Sequence, residues 1–455
     1  MRAKWTNWHG NQTANPERVV TPRSVAEVSD VFERTPLSSG PIRVLGAGAA
    51  WSQIAASSTT MLSTRGLTAI RHVDRERRRI TVEAGALMFD VVDAATHHGL
   101  SLRAAPMYLG LSVGGVIATG SHGTGRDAAT VGDDVVSFEL VTADGRVVDI
   151  PASDSDLARS LIANLGMLGV VTAVTLQAEP IYNVLEHHQH VPAGDVGSLI
   201  ASLLAEYEFV SVFWYPGSLR AVLKLGNRTS LPATVLKGRI RPSLAEKCAE
   251  WLGPIVPVIA SRLPAFMPVA ARALNAGIGQ GSIVVSEPFF SHYQQAYPPC
   301  ISSEYAVPVE AAPAAWTWMH RRLTQYGRSG IQPVDLVVHA RFTGPSRGFL
   351  ATAAGRATCH LEHLSFRGNR HRALFQPEFD EVMRREHHGR PHWGKELVDP
   401  WKAAEAFGPD VERFLEVREA LDPHQRLLHP FLRDDVFGLA RRQRRPVRAA
   451  IPQAV

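Results

Sequence analysis

The stretch RVLGAGAAWSQ at 43–53 runs an apolar strand into a turn of small residues, Gly46, Ala47, Gly48, Ala49 and Ala50, whose side chains can do no chemistry. Such a turn offers backbone N–H groups and close approach, which is what a phosphate requires. A dinucleotide-binding loop of the βαβ type needs a third glycine, a long helix directly after it and an acid about twenty residues on. Trp51 stands at the third-glycine position and the next strand-like run begins by Thr60, so that reading fails. A pyrophosphate turn of another type and a plain tight turn both stay open for this loop by itself. A second stretch, GLSVGGVIATGSHGTG at 110–125, mixes six glycines with Ser112, Thr119, Ser121, His122 and Thr124. Ordering so bare a segment is costly unless a large flat or phosphorylated ligand packs against it, the alternative being a glycine-rich structural loop. A third pattern is VDLVVHARF at 334–342. Strand alternation puts Asp335, Val337, His339 and Arg341 on one face, so His339 and Arg341 point together. A histidine titrating near neutrality can take a proton from a substrate hydroxyl as a C–H bond breaks; a satisfied structural histidine is the other reading.

Positioning these residues requires a mixed α and β framework. Residues 24–35 have helical apolar spacing and a strand follows at 42–45. Short strand-like runs at 60–63, 69–73 and 80–83, the last two joined by the charged turn DRERRR, lead into a helix around 89–97. The run VVSFELVTADGRVVDI alternates and turns at Asp144 and Gly145, a hairpin signal. LARSLIANLGMLGVVTAVTLQAE then reads as a helix, a glycine break and a strand. From about Tyr182 the strands lengthen and prolines separate them, which marks a second domain; after His387 the chain is loop-rich, then helical from about 409 to 421.

At 455 residues and 45% hydrophobic content the chain can bury a sizeable core in two domains. Cys248, Cys300 and Cys359 are too scattered for a disulfide framework or a zinc site, and the N-terminus MRAKWTNWHG lacks an apolar h-region, so a reducing, cytoplasmic location is expected. The apolar stretch 251–279 carries Pro254, Pro257, Pro264, Pro268, Arg262 and Arg272; it reads as packed cap-domain structure and not as a membrane span. The net charge of +5 equals the contribution of Arg441, Arg442, Arg444, Arg445 and Arg448, so the basic balance describes a solvated tail and calls for no nucleic-acid partner.

The small-residue turn, then VGGVIATGSHGTG, then LGMLGVVTAVTL, resembles the FAD domain of vanillyl-alcohol-oxidase-type flavoproteins, in particular the aldonolactone and alditol oxidase branch with its D-arabinono-1,4-lactone oxidase-like C-terminal domain. EYAVP at 304–308, HARF at 339–342, GRPHWGK at 389–395 and FLEVREALDP at 414–423 are similar to segments of that branch, and the resemblance covers roughly residues 8–432. It implies an α+β, two-domain FAD-binding PCMH-type fold: a FAD domain over 1–181, an α+β substrate or cap domain over 182–386, a segment 387–435 returning to the FAD domain and an Arg-rich disordered tail over 436–455. Carried over, it implies that Gly46, Ala47, Gly48, Ala49 and Ala50 wrap the FAD pyrophosphate through their amides. Ser112, Gly115, Thr119, Gly120, Ser121, His122 and Val171 would line the flavin and its ribityl chain, and His392 would lie against the flavin. Lys395 would face the substrate near the N1 to C2 side of the ring, where a fixed cation stabilises anionic reduced flavin. Arg341 matches the relatives' substrate-binding arginine, and His339 stands where they usually carry glutamate.

The chain also departs from the branch. Many relatives bond a histidine at the fourth position of the turn covalently to the flavin; here that position is Ala49, followed by Ala50, so non-covalent FAD is expected. In RAAPMYLG, Met107 aligns with a serine that touches substrate in alditol oxidases, while Pro106 borders the flavin face open to oxygen, where glycine or proline goes with oxidases and alanine with dehydrogenases. His363 and Ser365 in HLEHLSF are expected in the same pocket. The function implied is an FAD-dependent oxidoreductase, an oxidase in preference to a dehydrogenase. It would remove a hydride from a hydroxyl-bearing carbon of a small substrate, sugar- or lactone-derived or of another kind, and pass electrons to molecular oxygen or another acceptor; the changed pocket, Met107 in particular, favours a substrate with an apolar portion over a simple polyol or the usual sugar acid lactone. The alternatives are flavin-dependent oxidative cyclisation or dehydrogenation in specialised metabolism, and a non-redox binding protein on the same scaffold. No metal is implied.

Overall fold

The computed structural model describes residues 4–233, 283–286 and 300–439. The apolar stretch 251–279 and the arginines of the tail lie outside the described residues. No described helix is long and apolar enough to cross a membrane.

The chain opens with a small parallel sheet, β1 (Arg18–Val20), β2 (Ile42–Leu45) and β3 (Thr60–Ser63), with β3 in the middle. Helix α1 (Val25–Arg34) makes the crossover; the Ser24 side chain caps it by accepting from the Glu27 amide, and Val28 and Phe32 are its buried face. A five-stranded antiparallel sheet follows in the order β7-β6-β8-β5-β4, from β4 (Ile70–Asp74), β5 (Arg79–Glu83), β6 (Val135–Val141), β7 (Val147–Pro151) and β8 (Val170–Gln177). The Asp144-Gly145 hairpin is present, with Val141 opposite Val147 and Gly145 at φ 86°. Between β5 and β6 run α2 (Met88–His97) and α3 (Val113–Ala118). The glycine-rich run therefore holds a short helix. Its Gly114 donates to the Ala84 carbonyl at 2.8 Å, and a Cβ there would come within 3.0 Å of the Ala84 side chain, so glycine lets the helix lie on β5.

The rest is built on an eight-stranded antiparallel sheet, β9 (Asn183–Pro192), β10 (Phe209–Trp214), β11 (Arg220–Thr229), β12 (Ile283–Ser286), β13 (Cys300–Pro308), β14 (Val338–Thr343), β15 (Thr358–Phe366) and β16 (Arg390–Pro391). The strand order is β12-β9-β11-β10-β14-β15-β13-β16. Helices α4 (Val196–Glu206), α5 (Ala312–Arg328) and α6 (Arg372–Arg385) pack on one face, burying Trp214, Trp316, Phe342, Phe375 and Phe379 with them. β14 begins only at Val338, because Pro333 precedes it and the Asp335 carboxylate takes the Phe366 amide at 2.8 Å. The last segment packs back into the first core, where Trp393, Phe407, Phe414 and Phe437 join Phe138 and Leu140.

Candidate active site

A long cavity of ≈ 1400 Å³, counting its open mouth, runs between the loops of the first domain and the free face of the eight-stranded sheet. At one end β2 delivers the chain into the 46–50 turn. Gly48 adopts φ 74°, and the N-terminal segment braces the turn: Trp8 N donates to the Gly48 carbonyl at 2.9 Å and Asn7 Nδ2 to that of Ala50 at 2.9 Å. Ser112 Oγ accepts the Ala47 amide at 3.0 Å, and a Cβ on Gly46 would come within 2.3 Å of that hydroxyl. Ala47 is therefore already engaged, whereas the amides of Gly48, Ala49 and Ala50 donate to no described group. Three adjacent free N–H groups on a pinned loop form an anion cradle.

At the other end, β13, β15 and β14 lie side by side, and their register sets Glu304 opposite Glu362 and Glu362 opposite His339. Two carboxylates across neighbouring strands repel unless a cation bridges them. Arg341 does so, its Nη2 lying 3.1 Å from Glu304 Oε2 and 3.4 Å from Glu362 Oε2. Lys395 Nζ donates to Glu362 Oε1 and sits 4.5 Å from the Trp51 ring centroid. Burial alone would raise both carboxyls, but His122 and His392 beside Glu304, and Lys395, His339 and Arg341 beside Glu362, hold both well below the ordinary carboxylate range. The four charges cancel.

A model of the D-arabinono-1,4-lactone oxidase family matches residues 174–434, and one of an FAD-binding domain matches residues 16–151. The chain belongs to the D-arabinono-1,4-lactone oxidase family. It is 27% identical over 433 residues to L-gulono-1,4-lactone dehydrogenase of Mycobacterium tuberculosis, covering 95% of this chain and 99% of the other. Identity to the alditol oxidase of a Streptomyces species is 28% over 451 residues, with 96% and 100% covered, and to mouse L-gulonolactone oxidase 26% over 439 residues, with 94% and 97% covered. The fold is shared with the cholesterol oxidase of B. sterolicum at a TM-score of 0.79 and 17% identity, covering 95% of this chain and 96% of that one. Like its D-arabinono-1,4-lactone oxidase relatives, the protein is an FAD-dependent oxidoreductase acting on CH–OH donors.

Within that family frame most of the expected residues meet. Gly46 to Ala50, Pro106, Met107, Ser112, Gly115, Thr119, Ser121, His122, Val171, Arg341, His392 and Lys395 all line the cavity. Gly120 does not; its φ of 64°, with a would-be Cβ 3.2 Å from that of Ala163, makes it the turn after α3. His363 and Ser365 do not line it either. They are on the helix-facing side of β15, His363 between Phe375 and Phe379 at 5.3 and 4.8 Å and Ser365 donating to the Pro333 carbonyl, because alternation turns every second residue away. Glu362 is the neighbour that faces the cavity.

His339 shares the face of Arg341, yet it is fully covered and does not line the cavity. Its ring stacks on Phe213 at 4.2 Å and its Nδ1 lies 3.8 Å from Glu362 Oε2, so it stands behind the carboxylate. Burial, the largest influence, brings it down to about 4, so the imidazole beside Glu362 is neutral. Three residues went unassigned in the sequence. Glu304 and Glu362 line the cavity, and His360 stacks on His122 at 3.4 Å while sharing a hydrogen bond with Thr343. His122 in turn bonds Glu304 through Nε2 at 2.8 Å. The signal that could find Glu304 and Glu362 is a lone carboxylate in the middle of a strand-like run, CISSEYAVP or TCHLEHLSF; nothing comparable marks His360.

Proposed function

We propose that the protein oxidises a neutral polyhydroxylated substrate, a sugar lactone or an alditol, at a carbinol carbon, using dissociable FAD and molecular oxygen. The observation that carries this reading is the cancelled charge of Glu304, Arg341, Glu362 and Lys395 at the sheet end of the cavity. A neutral polyol or lactone can exchange hydrogen bonds with such a set; an anionic substrate would leave it one negative charge in excess. The names of the relatives, gulonolactone and alditol enzymes, agree with a neutral donor.

The residues divide the work. Glu362, ionised and facing the cavity, accepts a hydrogen bond from the reacting hydroxyl, whose proton passes to solvent as the C–H bond breaks, and His339 lies beside it. Arg341 and Lys395 donate to substrate oxygens while held by the two carboxylates. The hydride acceptor would be supplied by FAD bound along the cavity. Trp51 and His392 flank Lys395: Trp51 N donates to the Gly394 carbonyl at 2.8 Å, and His392 Nδ1 accepts the Gly394 amide at 3.0 Å. Pro106 on the cavity wall supports oxygen as the terminal acceptor, and Ala49 supplies no side chain that could bond the flavin.

Purified protein assayed with xylitol, sorbitol, L-gulono-1,4-lactone and D-arabinono-1,4-lactone is expected to release hydrogen peroxide with at least one of them. All flavin is expected in the supernatant after acid precipitation. Flavin reduced by none of the four refutes the substrate reading, reduction without peroxide refutes oxygen as acceptor, and flavin left in the pellet refutes dissociable attachment.

A further inference from the structure

Arg43, on β2, is a buried cation without a counter-charge. It is 4% exposed, its Nε and Nη1 are buried without a hydrogen-bond partner, and none of the ion pairs among the described residues includes it. Burial brings it down only to about 10, so it is charged at neutral pH. His429 beside it supplies no counter-charge in either protonation state; burial first, then the charge of Arg43, hold that imidazole at about 3 and therefore neutral. Arg43 is among the residues that line the cavity, and so is Gly166, which lies against its guanidinium. Gly166 makes room for it, since a Cβ there would lie 3.2 Å from Nη1.

Leaving a charge buried and unpaired is among the costliest things a fold can do. The cost is met if an anion enters the cavity beside it. Three residues along the chain from Arg43 begins the turn whose Gly48, Ala49 and Ala50 amides are free, so a fixed cation and an anion cradle open on the same space. We propose that Arg43 is the charged anchor for the FAD pyrophosphate, holding electrostatically what no covalent bond at Ala49 can hold. The assignment rests on the FAD-dependent function proposed above. A guanidinium suits the task, because it stays charged when desolvated and presents several donors to phosphate oxygens.

The test uses the full chain stripped of flavin, as wild type and as Arg43→Met, with FAD and riboflavin as ligands. If Arg43 is a phosphate anchor, Arg43→Met weakens FAD roughly 10- to 100-fold, the range for loss of a charge-assisted hydrogen bond. Riboflavin, which has no phosphate, is expected to change less than about 3-fold on the same reasoning. The flavin-free variant is expected to melt above flavin-free wild type, because the unpaired charge is gone, while the rise in Tm produced by FAD shrinks. Equal loss for both ligands, or a lower flavin-free Tm with FAD affinity unchanged, overturns the assignment. Wild type that binds neither ligand removes this proposal and the function beneath it together; wild type that binds FAD while Arg43→Met binds it equally well removes only this one. Should Arg43→Met fail to fold, Arg43→Lys keeps the cation and is expected to keep the preference for FAD over riboflavin; loss of that preference overturns an electrostatic role.

Discussion

Arg43 and Arg341 face the same cavity from opposite ends, both nearly inaccessible, and differ in company. Arg341 lies within 3.4 Å of two carboxylates, Glu304 and Glu362; among the described residues Arg43 forms no ion pair with one. The loop end of the cavity therefore carries an excess positive charge beside free amides, and the sheet end carries none. That difference sorts the two ligands: the loop end is made for an anion, and the sheet end for a neutral molecule with hydroxyls. One cavity can then hold a phosphorylated cofactor and an uncharged donor without either displacing the other.

The largest expected effect tests this contrast directly. Replacing Arg341 by methionine leaves Glu304 and Glu362 facing each other across β13 and β15, and removing one partner of a buried ion pair costs about 3–5 kcal/mol. Flavin-free Arg341→Met is expected to melt well below wild type and to lose turnover, while flavin-free Arg43→Met moves in the opposite direction. Two identical chemical changes with opposite signs of ΔTm would be hard to explain by packing. Equal destabilisation in both variants would break the comparison.

Substrate charge sharpens it next. An aldonate, the opened form of a lactone, brings a carboxylate to a balanced site, so the lactone is expected to exceed its aldonate in kcat/KM by on the order of 100-fold. Glu362→Gln removes one negative charge and is expected to narrow that ratio even as it lowers turnover. A ratio near one in the wild type, measured at a pH where the lactone survives, would show that the four charges do not select for neutrality.

The acid limb of stability follows from buried histidines, only some of which line the cavity. Burial, in each case the largest cause, holds His339 and His392 at about 4 and His9, His363 and His429 at about 3. Their folded pKa values are depressed, so between about pH 6.5 and 4 the unfolded chain binds protons that the native one does not, and stability falls as pH falls. The lowered Glu304 and Glu362 act with the same sign, but only below the ordinary carboxylate pKa. Unfolding near pH 5 is expected to take up about four to five protons from these five groups. A Tm that stays level between pH 7 and pH 5 would contradict it.

Much of this was legible in the sequence, for identifiable reasons. Gly46 to Ala50 and the glycine-rich run at 110–125 announce themselves because bare backbone has few uses, and the Asp144-Gly145 hairpin because only certain residues turn so tightly. Alternation placed His339 and Arg341 together correctly. It could not show that Glu362 of the next strand stands between His339 and the cavity, since that depends on the register of β14 against β15, which no single strand encodes. The same one-residue parity misplaced His363 and Ser365. Arg43 went unnoticed because an arginine in a short strand reads as an exposed residue; its burial comes from distant segments, among them the turn at Gly166 and His429, packing against it, a tertiary event.

The smallest expected effect lies between the two ends, in the N-terminal turn at residues 8–12 that packs against Trp51. Asn11 Nδ2 and Gln12 Nε2 both donate to the Trp51 carbonyl, at 2.9 and 2.8 Å, fixing His9 so that its ring stacks on Trp51 at 3.9 Å. Next to it Trp8 stacks on Tyr108 at 5.4 Å, and both line the mouth. His9 is neutral, from burial first and then from Lys395 nearby, so it shapes the entrance without altering the charge balance. Losing one stacked ring contact is worth about 1 kcal/mol, so His9→Ala is expected to raise KM by roughly 5-fold with kcat and FAD affinity unchanged. Because His9 touches neither the cradle nor the carboxylates in any described hydrogen bond, a fall in kcat would mean that the entrance and the sheet end act as one unit, and the division of the cavity into independent ends would have to be given up.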